Sequence, residues 1–535
     1  MSSIRVSWRI AIALTSLDLL VPSDLDPTAV ASRPANMLLR GNGPEPESLD
    51  PQKARQDSSL NILRDVYEGL TALDAHAEPI PAAAESWTIS PDGLQYRFQL
   101  QPGLKWSNGE PLTASDFATA LRRLVDPKTA APYAQMLAPV VNASAIVRGE
   151  LPVTALGVRA LDDRNLAIAL THPAAYLLGV LAHPATFPLH AAVTSDSVLV
   201  SNGAYRLNEW RAGSYVQLER NRHYWNSTAV AIPLVRYEHT QDPGTELRRF
   251  RAGELDITYT IPGQQTRWIE QHLRTQLRVE PQLGVYYYGF NLRAPPFANQ
   301  PQLREALSLV IERDRLTTQV TRSHERPACS WVPPGVTNYS PQPLSSCVGT
   351  HAERIARARR LYADAGYSRE RPLTVQLRYP VGDLHNRLAV VVAAMWKEAL
   401  GVRTTLRAEE PRALNQAVAA GIDVQVFRAS WIADYNDAWS FLQLAQSDFG
   451  VNLTGYHRSE FDACLERAAA ANDPQVRRAE LERAERLLLA DHALVPLYFY
   501  VSKHLVTPRV RGFANNVLNV QYSRQLRLMS GRSQQ

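Results

Sequence analysis

Residues 373–427 read LTVQLRYPVGDLHNRLAVVVAAMWKEALGVRTTLRAEEPRALNQAVAAGIDVQVF and alternate between strand-like and helix-like patterns. The predicted elements are a strand over Leu373–Tyr379, a helix over Arg387–Leu400, a strand over Val402–Arg407, a helix over Arg412–Ala420 and a strand over Ile422–Phe427. Gly401 and Gly421 follow the two helices, where glycine is favoured because it adopts positive φ at little cost. Strands that alternate with helices in this way indicate an α/β lobe.

The chain before this stretch carries mixed signals. Helices are predicted over Asp57–Leu70 and Ser115–Val125, and strands over Gln95–Leu100, Asn165–Leu170, Tyr205–Trp210, Tyr215–Glu219 and Val285–Leu292. A capping box at Thr113 opens the second helix. After the turn signal Asn202-Gly203, the strands Tyr205–Trp210 and Tyr215–Glu219 are predicted to form an antiparallel pair. The Pro-rich residues 183–190 indicate a lobe boundary, so a β-rich insertion is expected before them.

The C-terminal part begins with a strong helix signal. Asp473 followed by Pro474 predicts a helix that runs to Asp491. The side chains expected to face inward are Val476, Ala484, Leu487 and Leu488. A last strand is expected over Leu494–Val501.

Composition restricts the class of protein. The chain is 45% hydrophobic and 20% charged, which is enough apolar content for large cores. Its 535 residues are too many for one ordinary domain. The net charge is only +5, and Arg outnumbers Lys by 52 to 5 without forming a basic stripe interleaved with aromatic residues. The densest cluster, Arg357 to Arg360, is typical of a solvated helix face, so nucleic acid is not an expected partner.

The N-terminus resembles a signal peptide over residues 1–31. Arg5 and Arg9 precede the apolar residues 10–21, and Ala29-Val30-Ala31 has the small-residue spacing of a cleavage site, although Asp18 interrupts the apolar run. The first thirty residues contain no cysteine for lipid attachment, and no later segment has the length and apolarity of a membrane span. The sequence therefore predicts an exported, soluble, periplasmic protein that is not a lipoprotein.

The three cysteines show no CxxC spacing. Cys329 and Cys347 flank one Pro-rich loop and would pair in an oxidising compartment, whereas Cys464 sits in a helical pattern and is expected to be a buried free thiol. The sequence also contains no GxSxG, HExxH, GxxxxGK[ST] or GxGxxG motif and no HxH or HxxxH pair. We therefore expect no metal, no cofactor and no enzymatic activity.

Residues 428–437, RASWIADYND, followed by WSFL at 439–442, strongly resemble the signature of periplasmic oligopeptide-binding proteins of the OppA type. Further matching segments are PESLDP at 46–51, YEGL at 67–70, KWSNG at 105–109, DPKTA at 126–130, SNGAY at 201–205, YYY at 286–288 and VPLYFY at 495–500. The resemblance extends from about Leu38 to Leu528. It implies an extracellular solute-binding protein of family 5 that delivers short peptides to an ABC importer.

The resemblance also implies an architecture. The family has a two-lobed, hinged α/β fold of type II, cluster C, with an extra β-rich domain. In this numbering, lobe I would combine residues 32–67, 191–283 and 502–535, the extra domain II would span 68–190, and lobe III would span 284–501. The expected partners are short peptides and the permease and ATPase subunits of an inner-membrane ABC importer, and the expected state is a monomer.

The family's ligand contacts can be carried over residue by residue. Asp434 matches the acceptor of the peptide α-ammonium, while Arg428 and His385 match positions near the peptide carboxylate. The other implied contacts are aromatic groups at Trp431, Tyr133 and Tyr500 and backbone groups at Ser430, Ile432 and Arg55-Gln56-Asp57. Without the motif, Asp434 would read as a loop cap and Arg428 as half of an internal ion pair.

Two departures leave ligand alternatives open. Arg55 stands where some relatives carry Glu, and Pro411 stands where some carry a cleft Trp. The same cleft could therefore be adapted to a cell-wall muropeptide. A secreted peptide hydrolase and a periplasmic chaperone are the other candidates, but no nucleophile or metal site supports the hydrolase.

Overall fold

The computed structural model describes residues 35–190, 199–447 and 449–529. The chain divides into two units, Met1–Pro34 and Ala35–Gln535, and the fold below is that of the second unit. The predicted signal peptide at 1–31 lies outside the described residues. No helix among the residues described is both long enough and apolar enough to cross a membrane.

A four-stranded sheet carries the N-terminal segment. Its strands, in spatial order, are Met37–Gly41, Leu234–Glu238, Tyr215–Arg220 and Tyr205–Arg211. The first pair is parallel and the other two pairs are antiparallel, so the predicted pairing of the strands on either side of Gly213 is confirmed. Residues 197 positions apart in sequence therefore pair in one sheet.

The region between these strands forms a second sheet. Its order is Ala84–Ile89, Gln95–Leu100, Asn165–Ala169 and Val158–Ala160, and every neighbouring pair is antiparallel. The helix Ala114–Val125 begins with the expected capping box between Thr113 and Asp116. Short strands Thr71–Leu73 and Pro79–Pro81 form a separate ribbon.

A six-stranded mixed sheet carries the C-terminal half. Its order is Arg326–Pro327, Leu494–Leu505, Leu277–Phe290, Val426–Ile432, Thr374–Pro380 and Arg403–Glu409. The last three strands are parallel, as the alternation of strands and helices predicts. The helices Asp383–Leu400 and Pro411–Ala420 end at Gly401 and Gly421, which have φ of 79° and 65°.

The remaining helices surround these sheets. Those of seven or more residues are Asp57–Val66, Pro243–Arg251, Thr266–His272, Pro301–Leu309, His351–Asp364, Ser459–Ala470 and Pro474–Ala490. Shorter helices span Ala143–Val147, Leu177–Val180, Arg313–Arg315 and Trp439–Leu442, and the strands Val510–Arg511 and Arg527–Leu528 form a last small ribbon.

Two long strands, Leu277–Phe290 and Leu494–Leu505, pair antiparallel along most of their length. One end of the pair lies in the six-stranded sheet, and the other reaches the N-terminal sheet through bridges from Ile257 to Arg40 and Val506. A register shift between Pro281 and Val285 interrupts the pairing. This irregularity lies beside position 284, where the sequence analysis puts a lobe boundary, although the division into lobes stays a prediction.

Two local predictions were wrong. The strand expected over Ile422–Phe427 lies instead at Val426–Ile432, because the chain turns at Asp423, whose φ is 54°, and leaves Ile422 exposed. In the helix Pro474–Ala490, Val476 is exposed and Glu485 is fully buried.

Glu485 is buried because it organises the neighbouring loop. Its carboxylate accepts hydrogen bonds from the backbone N–H groups of Trp331, Val332 and Gln342 and from the Tyr339 hydroxyl. A carboxylate that accepts four hydrogen bonds can be buried although it is polar. Hydrophobic periodicity cannot predict such a residue, because it counts only apolar side chains as buried.

The same loop is closed covalently. Cys329 and Cys347 form a disulfide across 18 residues, whereas Cys464 is buried and free. Cross-linking a loop of that length restricts mainly the unfolded chain. The disulfide and the Glu485 hydrogen bonds together hold the Pro-rich loop against the C-terminal half.

Replacing Cys329 and Cys347 together by Ser is expected to lower the free energy of unfolding by about 3 kcal/mol, the loop-entropy contribution for this length. Urea unfolding with and without a reducing agent checks this expectation. The reductant should destabilise the natural protein and leave the double variant unchanged, and equal effects on both would contradict it.

Candidate functional site

The strand Val426–Ile432 has one paired edge and one partly open edge. Along the first edge it pairs with the long strand from Gly284 to Phe290. Along the second edge, pairing with Thr374–Pro380 stops at Phe427, and within the described residues no other strand continues it. The residues from Arg428 to Ile432 therefore offer unpaired backbone to one side.

Hydrogen bonds at both ends of this strand fix which backbone groups face the open side. Ala433 N–H donates to Leu283 O at 2.8 Å, and Gln425 O accepts from Asn291 N–H at 2.9 Å. In an antiparallel pair, alternate residues direct their backbone groups toward the partner strand. The odd-numbered residues therefore face the long strand, and Arg428, Ser430 and Ile432 direct their N–H and C=O groups outward.

Asp434 lies two residues after the end of the strand and lines a cavity of about 230 Å³. Several distant parts of the chain build this cavity: the N-terminal sheet and first helix, the inserted region, the turn after the strand, and the C-terminal residues 504 and 518–521. Its polar lining includes Arg40, Arg55, Asp57, Asn61, Arg64, Tyr133, His183, Tyr259, Asp434 and His504. Asp434 thus lies where distant segments converge.

The Asp434 carboxyl has no cation at hydrogen-bond distance among the described residues. Burial raises its pKa to about 7, the negative charge of Asp57 adds to this rise, and Arg64 opposes it. Its side chain is 20% exposed. A carboxylate held in this environment is poised to pair with a cation that enters the cavity.

His183 faces the same carboxyl. Its Nδ1 accepts from Ala185 N–H at 3.2 Å, so the proton of the neutral ring lies on Nε2, which stands 4.0 Å from Asp434 Oδ1. Burial lowers the pKa of His183 to about 3, with Arg64 acting in the same direction. Nε2 is buried without a hydrogen-bond partner. His183 therefore contributes a neutral, unused N–H donor rather than a charge.

A cationic cluster lies at the other end of the strand. The Arg428 guanidinium stacks 4.4 Å from the centre of the Tyr286 ring and donates to the Tyr500 hydroxyl at 3.1 Å. Its Nε is buried without a partner. His385 Nδ1 is 3.1 Å from the Tyr286 hydroxyl, and burial, with Arg428 second, lowers the His385 pKa to about 4. No carboxylate within the described residues pairs with Arg428, so the cluster suits an incoming anion.

Residues 55–57 approach the first cavity from the N-terminal side. Glu47 accepts hydrogen bonds from the backbone N–H groups of Arg55 and Gln56, and the Tyr133 hydroxyl donates to Arg55 O at 3.4 Å. Arg55 and Asp57 line the cavity, while Gln56 lies beside it. The backbone N–H groups of Arg55 and Gln56 are thus already engaged by Glu47.

Trp431 belongs to a second cavity of about 440 Å³, which also touches Asp434. The Trp431 indole N–H donates to Ser440 Oγ at 3.2 Å. Beside it, Tyr176 stacks on Tyr435 with ring centres 4.9 Å apart and an interplanar angle of 10°. An aromatic contact between the inserted region and the C-terminal half therefore forms one wall of this cavity.

Most of the predicted contact residues fall into three groups. Asp434, Ile432, Arg55, Asp57 and Tyr133 meet at the first cavity, Trp431 lines the second cavity, and Arg428, His385 and Tyr500 form the cationic cluster. Ser430 lies on the open strand edge, and Gln56 lines neither cavity. Sequence reasoning missed Arg64, Tyr176, His183 and Tyr259. Three of them carry no local motif, and His183 was read as part of a Pro-rich boundary.

A family model described as "Bacterial extracellular solute-binding proteins, family 5 Middle" matches residues 78–452. The chain is 36% identical over 526 residues to the "Probable deoxycholate-binding periplasmic protein YgiS" of Escherichia coli, covering 96% of this chain and 97% of that protein. It is 35% identical over 501 residues to the "Periplasmic oligopeptide-binding protein OppA" of Salmonella typhimurium, covering 91% of each.

The fold is also similar to that of the Escherichia coli murein tripeptide binding protein MppA. The TM-score is 0.83 at 33% sequence identity, covering 92% of this chain and 98% of MppA. This likeness confirms the expected two-lobed α/β fold of periplasmic binding proteins.

Asp434→Asn is expected to stabilise the ligand-free protein, and more so as pH rises. Because the folded state raises the Asp434 pKa from 3.8 to about 7, its favourable contribution is complete below pH 4 and is lost as pH approaches 7. The difference in unfolding free energy between variant and natural protein, followed through their melting temperatures, should therefore grow from pH 4 to pH 8, by a few kcal/mol at most. A difference that is constant with pH would contradict the raised pKa.

Proposed function

This chain belongs to the bacterial extracellular solute-binding proteins of family 5, and we propose that its solute is a short peptide bound in extended form beside the strand Val426–Ile432. The peptide lies along the open strand edge, with its ammonium at Asp434 and its carboxylate near Arg428. Both ends are thereby neutralised.

The open edge is the observation that carries this proposal. Ser430 and Ile432 offer outward N–H and C=O groups, and an added strand satisfies such groups whatever its side chains are. Four residue steps from Arg428 to Ile432 span about 13 Å of extended chain. That length suits a peptide of a few residues.

The two charged ends support the same orientation. Asp434 supplies an uncompensated carboxyl, and the His183 N–H is available for a ligand acceptor. At the other end the Arg428 guanidinium lacks a carboxylate partner, and His385, neutral at pH 7, can accept or donate a hydrogen bond. A zwitterionic peptide complements this separation of charge.

The remaining predicted contacts complete the proposed site. Trp431, Tyr133 and Tyr500 provide aromatic surfaces around the peptide, and Arg55, Gln56 and Asp57 approach it from the N-terminal side. OppA is an oligopeptide-binding protein and MppA is a murein tripeptide binding protein, and the similarity to both favours peptides as the ligand class.

The proposed role in the cell is delivery. In this proposal, lobe I consists of residues 32–67, 191–283 and 502–535, domain II of residues 68–190 and lobe III of residues 284–501. The paired long strands Leu277–Phe290 and Leu494–Leu505 connect the lobes and act as the hinge. The protein acts as an exported monomer, closes around the peptide and passes it to the permease and ATPase subunits of an ABC importer. Family members are binding proteins, and catalysis is not part of the proposed role.

A cell-wall peptide is the second candidate ligand. Arg55 lines the cavity near Asp434, and an added cation there would accommodate the extra carboxylates of such a peptide. The similarity to MppA favours the same ligand class. Competition between a murein tripeptide and ordinary tripeptides would distinguish the two candidates. Deoxycholate is included as a third competitor, because the relative YgiS is a probable deoxycholate-binding protein.

Asp434→Ala is expected to weaken the binding of a tripeptide by about 100-fold or more, because the ligand ammonium loses its buried partner. Isothermal titration calorimetry with a free and an N-acetylated tripeptide forms a double-mutant cycle. Acetylation of the peptide should weaken its binding to the natural protein by a similar factor and should hardly change its binding to the variant. Independent, additive losses would show that the ammonium binds elsewhere.

Arg428→Met is expected to weaken tripeptide binding by about 10- to 100-fold through loss of the charge-assisted contact with the peptide carboxylate. A C-terminally amidated tripeptide provides the matched ligand. Arg315→Met provides the control variant, because the Arg315 side chain is exposed, pairs with Glu312 and lines neither cavity of the site. If amidation weakens binding equally in the natural protein and in Arg428→Met, the carboxylate is not held by Arg428.

A further inference from the structure

Asp57 brings a second carboxylate to the cavity that contains Asp434. Both side chains line the same space, and the negative charge of Asp57 acts on Asp434. Asp57 is exposed where it lines the cavity, and the charge of Arg64 and a hydrogen bond from the Tyr259 hydroxyl reach its carboxyl. The nearby arginine therefore compensates neither carboxyl fully.

The arginines that line the cavity contact other groups or are exposed to solvent. Arg40 donates to Ser523 Oγ at 2.8 Å and stacks on Tyr237. Arg64 donates only a 3.5 Å hydrogen bond to Asn61, and Arg55 is exposed. No ion pair within the described residues joins any of these guanidinium groups to Asp57.

His183 gives an independent indication that a ligand enters here. Its side chain is 2% exposed, and its Nε2–H has no hydrogen-bond partner although it lies 4.0 Å from Asp434. A buried donor without a hydrogen-bond partner destabilises the protein unless an incoming group accepts a hydrogen bond from it. The cavity thus combines two carboxyl groups with one unused donor.

We propose that Asp57 is a specificity-determining residue that favours peptides whose first residue has a basic side chain. The α-ammonium pairs with Asp434, as the proposed function requires, and the side-chain ammonium or guanidinium of the same residue pairs with Asp57. Two carboxylates in one cavity match two cations on one ligand residue. This inference rests on the proposed function and adds the substrate class.

Asp57 also has a structural role, and the test must separate this role from the proposed contact with the ligand. It is the first residue of the helix Asp57–Val66, where a negative charge stabilises the helix dipole. That role affects stability but gives no reason for the protein to distinguish a basic first residue from a neutral one of the same length. A ratio of two affinities measured on one variant removes the stability effect.

The experiment compares Lys-Ala-Ala with norleucyl-Ala-Ala, whose first side chain lacks only the ammonium, by isothermal titration calorimetry. The natural protein should bind the lysyl peptide roughly fivefold to tenfold more tightly. Asp57→Asn should bring the ratio of the two affinities close to one, because only the lysyl peptide loses a charged partner. If Asp57→Asn does not fold, Asp57→Ser replaces it, since Ser is also tolerated at a helix N-terminus.

A natural-protein ratio near one, or a preference that survives in Asp57→Asn, would overturn the inference. A preference for Glu-Ala-Ala that is lost in Arg55→Gln would assign the cavity to an acidic side chain instead, and would overturn it too. If neutral tripeptides bind well without discrimination, only this inference fails. If no tripeptide binds at all, the proposed function fails and the inference with it.

Discussion

The carboxyl of Asp434 is held among protein atoms without a cation at hydrogen-bond distance, and the surrounding architecture follows from the need to keep it there. Transferring a charge out of water is costly, and the rise of the Asp434 pKa to about 7 expresses that cost in the ligand-free protein. An entering ammonium relieves it. The free energy stored in this way is released only when a complementary ligand arrives, which favours tight closure over a charged peptide end.

The position of Asp434 depends on the strand that precedes it. The long strand Leu277–Phe290 pairs with one edge of Val426–Ile432, fixes its direction and carries the turn at Ala433 to the cavity. The opposite edge remains open beyond Phe427 because the neighbouring parallel strand diverges there. The same strand therefore presents backbone groups, a carboxylate at one end and a guanidinium at the other.

Much of the fold was predictable from local pattern, and the site was predictable only through the motif. Periodicity and glycine positions located the helices Asp383–Leu400 and Pro411–Ala420, but the turn at Asp423 displaced the next strand by four residues. The resemblance then identified Asp434 and Arg428. His183 could not be found because its relation to Asp434 joins residues 251 positions apart and has no local signature.

Native mass spectrometry of the purified protein, with Asp434→Ala as its control, tests the central claim most directly. We expect the natural protein to retain co-purified or added di- to pentapeptides as one-to-one complexes, and the variant to lose them while keeping its fold. A natural protein that stays free in the presence of a peptide library, or a variant that retains peptides as well as the natural protein, would contradict the account.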